Sequence, residues 1–349
     1  MLNKKTIGTL LKTVLPLLLG VYLFWYFFSS MTADSKALFY KAIREANYFW
    51  IILSLLLGVV AYFSRAYRWK YVLEPLGFKT KFWHRYHAVM IGYLINLTIP
   101  RAGEASRSAM LYRSDGVPFT TSFGTIIAER AVDFVILCSI ALLTAFLGYS
   151  DFMEIKHQIE AQFGGAQGAD SAGFPWKLVV YGILLVGMLF AGYLFIFKVA
   201  FRNKFIGFAK EIIAGLFSIF RSQFPLSYLL HTAIIWICYV AMFAVSFQAL
   251  EETSNMSANA ILIAFIAGSL GITFTNGGIG TYPLLVGLVV AYFIGNEHEN
   301  AQAVGNALGM LMWATQTILM IILGLVSLAL LPKNFTKDQK NEPIDISPE

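Results

Sequence analysis

Long apolar runs, separated by short polar stretches, dominate this sequence. A helix needs about 20 apolar residues to cross the hydrocarbon core of a bilayer, and several runs approach or exceed that length. We therefore predict an all-α polytopic membrane protein with about six full transmembrane helices. These helices would span residues 13–30, 48–64, 119–149, 178–197, 226–250 and 301–331.

Composition supports a membrane protein and argues against other classes. Hydrophobic residues make up 58% of the chain and charged residues 13%, whereas soluble domains have about 25% charged residues. Cys138 and Cys238 both lie within apolar runs, which excludes a disulfide framework and a CxxC metal site. The uncharged run 13–33 is longer than a typical signal-peptide core of about 7–15 residues. We therefore predict an uncleaved first transmembrane helix.

The charges between the runs predict the orientation. Segments 65–87 and 198–225 are rich in Lys and Arg, which is typical of cytoplasmic loops. Segment 150–177 carries more acids than lysines and should be external. Both termini are then cytoplasmic, and we expect the polar residues 333–349 to be a disordered tail. Because the net charge of +6 is concentrated in such loops, it does not indicate a nucleic-acid partner.

Two uncharged segments do not fit this alternation. Residues 86–100 would form a helix of only about 22 Å, short of a core of about 30 Å, and both flanks should be cytoplasmic. We predict a re-entrant hairpin over 86–113, broken at Pro100. Segment 257–295 is interrupted by glycines and has two external flanks, which predicts a second hairpin entering from outside. Irregular backbone at membrane depth requires burial or a wet cavity.

The order of these elements suggests an inverted repeat. Residues 1–150 and 178–332 would each contain two helices, one hairpin and one long helix, with opposite orientation. Inverted repeats with broken helices are typical of transporters whose site lies near the midplane. We thus predict one membrane domain, 1–332, with two opposed hairpins. The alternative is eight ordinary membrane-spanning helices.

Two clusters of charged residues fall within these elements. Charges at membrane depth are costly and are usually paired or functional. Arginine binds phosphate well because its planar guanidinium donates paired hydrogen bonds. The clusters could therefore form an anion site, an ion-pair network that only joins helices, or, for the first, a solvated loop. They comprise Asn96, Pro100, Arg101, Gly103, Glu104 and Arg107, followed by Glu129, Arg130 and Asp133.

Two further patterns have structural interpretations. Gly277, Gly278 and Gly280, followed by Thr281 and Tyr282, predict a tight hairpin apex. Thr281 would cap a new half-helix with Pro283 in its first turn.

Residues 65–70, which include Arg68, combine basic and aromatic side chains at the predicted inner end of a helix. Such residues usually anchor a helix at the interface, and recruitment of lipid phosphate is the alternative.

The sequence contains no pattern for hydrolase or metal chemistry. HExxH, GxSxG and DxD motifs do not occur, and His84 and His87 have no partner set for a metal. We therefore predict no catalytic residues, no metal and no cofactor, and we expect a protein that is not an enzyme.

The charged and glycine-rich motifs resemble the lysylphosphatidylglycerol synthase transmembrane-region family over roughly residues 10–332. Residues 65–69 fit this pattern too. The resemblance is carried by Asn96, Pro100, Gly103, Glu104 and Arg107, by Glu129, Arg130 and Asp133, and by Gly268, Ser269, Gly271, Gly277, Gly278, Gly280, Thr281 and Tyr282.

In bifunctional members of that family this region is implicated as a lipid flippase, and a cytosolic domain makes the aminoacyl lipid. We expect no such second domain in this protein, so the resemblance implies lipid handling rather than synthesis. We predict a flippase-like transporter that moves an anionic phospholipid or lipid-linked headgroup between leaflets of the bacterial cytoplasmic membrane. The alternative is a membrane enzyme, or an enzyme subunit, that modifies a lipid-linked sugar or aminoacyl lipid.

On the flippase hypothesis, a specific set of side chains contacts the lipid. The partners of the protein would be membrane lipids, a separately encoded lipid-modifying enzyme and a second copy of the chain. The predicted phosphate or headgroup ligands are Asn96, Arg68, Arg101, Arg107 and Arg130, and Glu104, Glu129 and Asp133 would form the charge network around them.

Overall fold

A computed structural model describes residues 33–99, 102–148, 224–295 and 301–331, together with Trp25 and Ser29. Within these ranges the chain is helical and contains no strand. The predicted helices 13–30 and 178–197, the tail 333–349, and Pro100 and Arg101 lie outside the described residues. The α-helices are α1 (Ala33–Glu45), α2 (Tyr48–Leu73), α3 (Phe82–Thr98), α4 (Gly103–Asp115), α5 (Phe119–Leu147), α6 (Pro225–Ser246), α7 (Ala258–Phe274), α8 (Thr281–Ile294) and α9 (Ala301–Leu330).

Four of these helices, α2, α5, α6 and α9, are long and apolar enough to cross a membrane. They correspond to the four predicted transmembrane helices that fall within the described residues. Their outward faces carry large apolar side chains, such as Leu226 and Phe146, which are 78% and 82% exposed. Such faces suit contact with lipid, so the chain is an α-helical, multi-pass membrane protein.

One helix boundary differs from the sequence prediction, and one helix was not predicted. Helix α2 continues to Leu73, past the predicted end at residue 64, because Arg65 and Arg68 are buried against other helices and do not face water. Helix α1 was missed, since its mixed composition lacks a long apolar run. It contributes Phe39 to a large apolar core shared with α6, α7, α8 and α9.

Helices α3 and α4 form an antiparallel pair, here called hairpin A. At one end, His84 Nδ1 lies 3.0 Å from the carboxylate oxygens of Asp115. At the other, the N–H of Gly103 donates to Asn96 Oδ1 at 2.7 Å. A Cβ atom on Gly103 would lie 2.3 Å from the backbone oxygen of Gly92. Only glycine therefore permits this approach of the two helices.

Helices α7 and α8 form a second antiparallel pair, here called hairpin B. Its apex contains a turn in which Gly277, Gly278 and Gly280 all have positive φ, the conformation that glycine adopts at little cost. The predicted cap at Thr281 is wrong, because α8 begins at that residue and Gly280 precedes it as the N-cap. The Thr281 hydroxyl instead donates across the hairpin to the backbone oxygen of Gly271 at 2.6 Å.

Helix α9 contacts both hairpins in succession. Near its start, Gly305 and Gly309 approach the backbone of α8 at Gly287 and Pro283. Midway, Trp313 Nε1 donates to the backbone oxygen of Gly277 at 2.8 Å. Helix α9 therefore runs from the base of hairpin B to its apex.

The second half of α9 lies along hairpin A. Gly324 packs on Leu94, and Ser327 Oγ lies 3.0 Å from His87 Nδ1, near the start of α3. At the apices, a Cβ on Gly277 would lie 2.7 Å from Leu97 Cδ2. The bases of the two hairpins therefore lie toward opposite ends of α9, and their apices meet between them.

Helices α2 and α6 pack antiparallel beside the hairpins. Ser54 Oγ donates to the backbone oxygen of Met242 at 2.8 Å, and Ser64 Oγ to that of His231 at 3.1 Å. This pairing directs Arg65 and Arg68 toward the interior of the helix bundle, where both are buried.

Candidate functional site

Asp133 on α5 binds two arginines of α2. Arg68 donates to it in a bidentate manner, with Nη1–Oδ1 and Nη2–Oδ2 distances of 2.7 and 3.1 Å. Arg65 Nη1 lies 3.2 Å from Oδ2 of the same carboxylate. Arg65 Nη2 also donates to the Tyr239 hydroxyl on α6 at 3.3 Å. One carboxylate thus neutralises part of two buried cations.

Glu129, one turn earlier on α5, binds Arg107 of hairpin A. The Arg107 Nη1–Glu129 Oε2 distance is 3.0 Å, and Arg68 Nη2 approaches the same oxygen at 3.8 Å. The Arg107 guanidinium also lies over the Trp69 ring, 3.8 Å from its centroid. Trp69 Nε1 in turn donates to Thr125 Oγ1 at 2.9 Å. Stacking and pairing together fix the plane of this guanidinium.

A third ion pair lies closer to the surface. Arg130 Nη2 is 3.1 Å from Glu104 Oε1, and the two side chains are 42% and 25% exposed. This pair joins α5 to α4 beside the buried cluster. Being partly exposed, it can open at lower cost than the buried pairs.

These charges surround a small cavity between hairpin A and α2. It encloses about 10 Å³, room for about one water molecule, and Arg65, Arg107, Arg130 and Glu104 all line it. Its other lining residues come from hairpin A: Val89, Gly92, Tyr93, Asn96 and Gly103.

Positive charge is in excess around this cavity. Among the described residues, the four arginines at 65, 68, 107 and 130 face three carboxylates, at 104, 129 and 133. The Nε atoms of Arg65 and Arg107 are buried and find no acceptor within the described part of the chain. Buried polar groups normally have a partner. These donors therefore suit an anion with hydrogen-bond acceptors, and the cavity must widen to admit one larger than a water molecule.

Comparison with known proteins identifies the family. The family model described as "Lysylphosphatidylglycerol synthase TM region" matches residues 13–324. The chain belongs to this family. A UPF0104 membrane protein from Methanocaldococcus jannaschii is 28% identical over 112 residues, which are 31% of this chain and 33% of that protein. The match thus covers about a third of the relative's length. No solved structure matches.

In this member of the lysylphosphatidylglycerol synthase TM-region family, most of the predicted charged residues lie together. Arg107, Arg130, Glu104, Glu129 and Asp133 form one cluster. Glu104 and Arg107 are neighbours on α4, but each pairs with α5 rather than with the other.

Asn96 lines the cavity, and its amide oxygen also holds the turn of hairpin A through Gly103. Arg101 and Pro100 lie outside the described residues.

The interpretation of residues 65–70 as an interfacial anchor is wrong for Arg65, Arg68 and Trp69. Arg65, Arg68 and Trp69 are at most 3% exposed and contact α5, α6 or hairpin A. Arg68 was predicted as a headgroup ligand, but the contributions of Arg65 and Trp69 were missed, because the sequence does not show that α2 and α5 are adjacent. The sequence did contain a signal for this pairing. Arg65 and Arg68 are three residues apart on one helix, and the oppositely charged Glu129 and Asp133 are four residues apart on another.

The glycines and Tyr282 of hairpin B lie at or near its apex, and none of them lines the cavity. Tyr282 packs against Gly268 and Gly271, where a side chain on either glycine would collide with it. Within the described ranges, no group of His, Cys, Asp and Glu side chains could hold a metal ion, and each carboxylate of the cluster is bound by arginine.

Proposed function

We propose that this protein is a flippase-like transporter that moves an anionic phospholipid or lipid-linked headgroup between leaflets of the bacterial cytoplasmic membrane. The observation that supports it best is the cavity lined by Arg65, Arg107 and Arg130, with its unsatisfied guanidinium donors. A phosphate is the anion that suits planar, fixed guanidinium groups. Membership of the family agrees with a role at membrane lipids.

The position of the cavity supports access from one leaflet. In the predicted orientation α5 starts on the cytoplasmic side at Phe119. Glu129 and Asp133 follow it by 10 and 14 residues, or about 15 and 21 Å along the helix. Because α5 has 29 residues and is about 43 Å long, its midpoint lies at Asp133. The cluster would then lie at the membrane midplane and just inside it, with the partly exposed Arg130–Glu104 pair as its entrance.

The two hairpins supply the remainder of the proposed pathway. Gly305 contacts hairpin B and Ser327 contacts hairpin A. These residues are 22 positions apart on α9, or about 33 Å, close to the hydrocarbon thickness of about 30 Å. We propose that the hairpins are re-entrant, that they enter from opposite faces, and that they belong to an inverted repeat. Alternating access would then involve movement of one hairpin relative to the other.

Reconstitution in liposomes tests this function. Vesicles would contain the protein and a trace of fluorescent phosphatidylglycerol, and dithionite would report how fast label crosses to the outer leaflet. We expect wild-type protein to accelerate crossing and Arg130→Gln to slow it at least about tenfold, the effect of losing about 1.4 kcal/mol of phosphate binding. Arg130 is chosen because it is partly exposed, so its replacement disturbs folding less than a change at the buried Arg107.

Arg44→Gln on the exposed surface of α1 is the matched control, since it removes an arginine that does not line the cavity. Crossing rates that are equal for wild type, Arg130→Gln and protein-free vesicles would refute transport of this lipid class. A transport rate that Arg130→Gln leaves unchanged would refute the role of the cavity. Lipid analysis of a deletion strain separates the enzyme alternative, because an enzyme would leave a lipid species missing.

A further inference from the structure

One face of α2 leads away from the arginine cluster along the membrane-spanning part of the helix. Arg65, Gly58 and Ser54 lie on this face, because they are separated by seven and four residues, close to whole turns of a helix. All three are buried. The distance from Arg65 to Ser54 along the helix is about 16 Å. In the predicted orientation, this direction leads from the cluster toward the external side of the membrane.

Two tyrosine hydroxyls connect this face of α2 to the cavity. Arg65 Nη2 donates to the Tyr239 hydroxyl at 3.3 Å, and that hydroxyl lies 3.5 Å from the hydroxyl of Tyr93. Tyr93 also lines the cavity. A polar headgroup that moves away from Arg65 along α2 therefore has hydroxyl groups beside it.

The far end of this face contacts Gln316, the sixteenth of the 30 residues of α9. Gln316 Nε2 donates to Ser54 Oγ at 3.4 Å, but its Oε1 is buried and has no partner within the described part of the chain. Exchanging the oxygen and nitrogen of the amide does not remove this deficit, because the Ser54 hydroxyl already donates to the backbone oxygen of Met242. A Cβ atom on Gly58 would lie 3.3 Å from Oε1, so glycine at this position leaves that end of the amide uncovered.

The incomplete amide indicates the chemistry of the headgroup, and this inference rests on the proposed function. Buried polar groups normally have a partner, and an unpaired polar group inside a membrane is costly. A hydroxyl group can complete either end of an amide, because it both donates and accepts. We infer that Gln316 contacts a hydroxyl group of the lipid headgroup during crossing. The protein therefore selects lipids whose phosphate carries a hydroxyl-bearing group such as glycerol or a sugar.

Crossing rates of two acyl-labelled lipids in liposomes test this inference. Phosphatidylglycerol and phosphatidylpropanol have the same charge and a three-carbon headgroup, but only the first carries hydroxyls. The readout is the ratio of their crossing rates after subtraction of the rates in protein-free vesicles, which does not depend on the amount of active protein. Gln316→Met keeps the length of the side chain and removes the amide. We expect it to lower the ratio about tenfold, the effect of one hydrogen bond to a buried group.

Two further variants make the test specific. Gly58→Ala places a methyl group against the unpartnered Gln316 oxygen and should lower the ratio in the same direction, while alanine favours the helix over glycine. Thr315→Val is the matched control and should keep the wild-type ratio, because the Thr315 hydroxyl already donates to the backbone oxygen of Leu311 in its own helix at 2.7 Å. If Gln316→Met slows both lipids equally, or slows neither, Gln316 only packs α9 against α2 and the inference is overturned.

Affinity measurements separate the headgroup contact from transport. If neither lipid crosses with wild-type protein, transport is refuted, and binding of the dihexanoyl forms of both lipids to the full-length protein in detergent decides the contact. A preference for phosphatidylglycerol that Gln316→Met removes would support it, and equal affinities would overturn it. Crossing of both lipids at a ratio that Gln316→Met does not change would overturn the headgroup contact and leave transport intact.

Discussion

Asp133→Asn tests whether the arginine cluster is as buried as the structure indicates. The aspartate accepts three close contacts, two from Arg68 at 2.7 and 3.1 Å and one from Arg65 at 3.2 Å. Asparagine is nearly identical in volume, so packing is preserved and the charge alone is lost. Arg65 and Arg68 would then share only the more distant Glu129.

The expected cost follows from the burial of the partners. The side chains of Arg65 and Arg68 are 3% and 0% exposed, and that of Asp133 is 10% exposed. Removing one partner of such a buried ion pair costs about 3–5 kcal/mol, because the remaining charge stays buried without compensation. This free energy corresponds to roughly two to three and a half orders of magnitude in the unfolding equilibrium constant.

The assay is reversible unfolding in mixed micelles with increasing dodecyl sulfate, followed by circular dichroism. Glu45→Gln is the matched control, because its ion pair with Lys41 has a 3.9 Å separation and both side chains are 65% exposed. Such a surface pair is worth less than about 1 kcal/mol. If Asp133→Asn and Glu45→Gln lower the free energy of unfolding equally, the arginine cluster is not buried and is not held together by Asp133.

Two further predictions concern the hairpins. Gly103→Ala should separate α3 from α4 and abolish lipid crossing, because the new Cβ would lie 2.3 Å from the Gly92 oxygen and 2.5 Å from the Asn96 side chain. Gly124→Ala, where no atom lies within 4 Å of the added Cβ, should stabilise α5 by up to about 1 kcal/mol; equal activities of the two alanine variants would contradict this packing. For topology, single cysteines at Lys79 and Gly116 should react with impermeant maleimide from the same side of the membrane, and one at Asn255 from the opposite side. Labelling of positions 79 and 116 from opposite sides would show that hairpin A crosses the membrane.

The sequence was sufficient to predict the elements that depend on local pattern. Helices α5, α6 and α9 follow from long apolar runs, and the turn at residues 275–280 follows from its glycines. The residues of the two charged clusters were also evident, because charges are rare in apolar segments and therefore noticeable.

The pairing within the site could not be predicted, because it depends on which helices are adjacent. Arg68 was expected either to anchor its helix at the interface, where basic and aromatic residues at a helix end usually lie, or to bind lipid phosphate. Its actual partner, Asp133, is 65 residues away on α5. Glu104 and Arg107 have the spacing of a local ion pair, but neighbouring helices offer each of them another partner. Tertiary contacts therefore decided between alternatives that local spacing left open.

The contact between the hairpin apices has a consequence for the lipid environment. Each hairpin is attached toward a different end of α9, and Leu97 touches Gly277 where they meet. A continuous helix adapts to a thicker or thinner bilayer by tilting, but two segments that meet end to end change their separation instead. In the proposed arrangement the acyl-chain length of the surrounding lipid would act directly on this junction, so bilayer thickness would set how tightly the two hairpins press together.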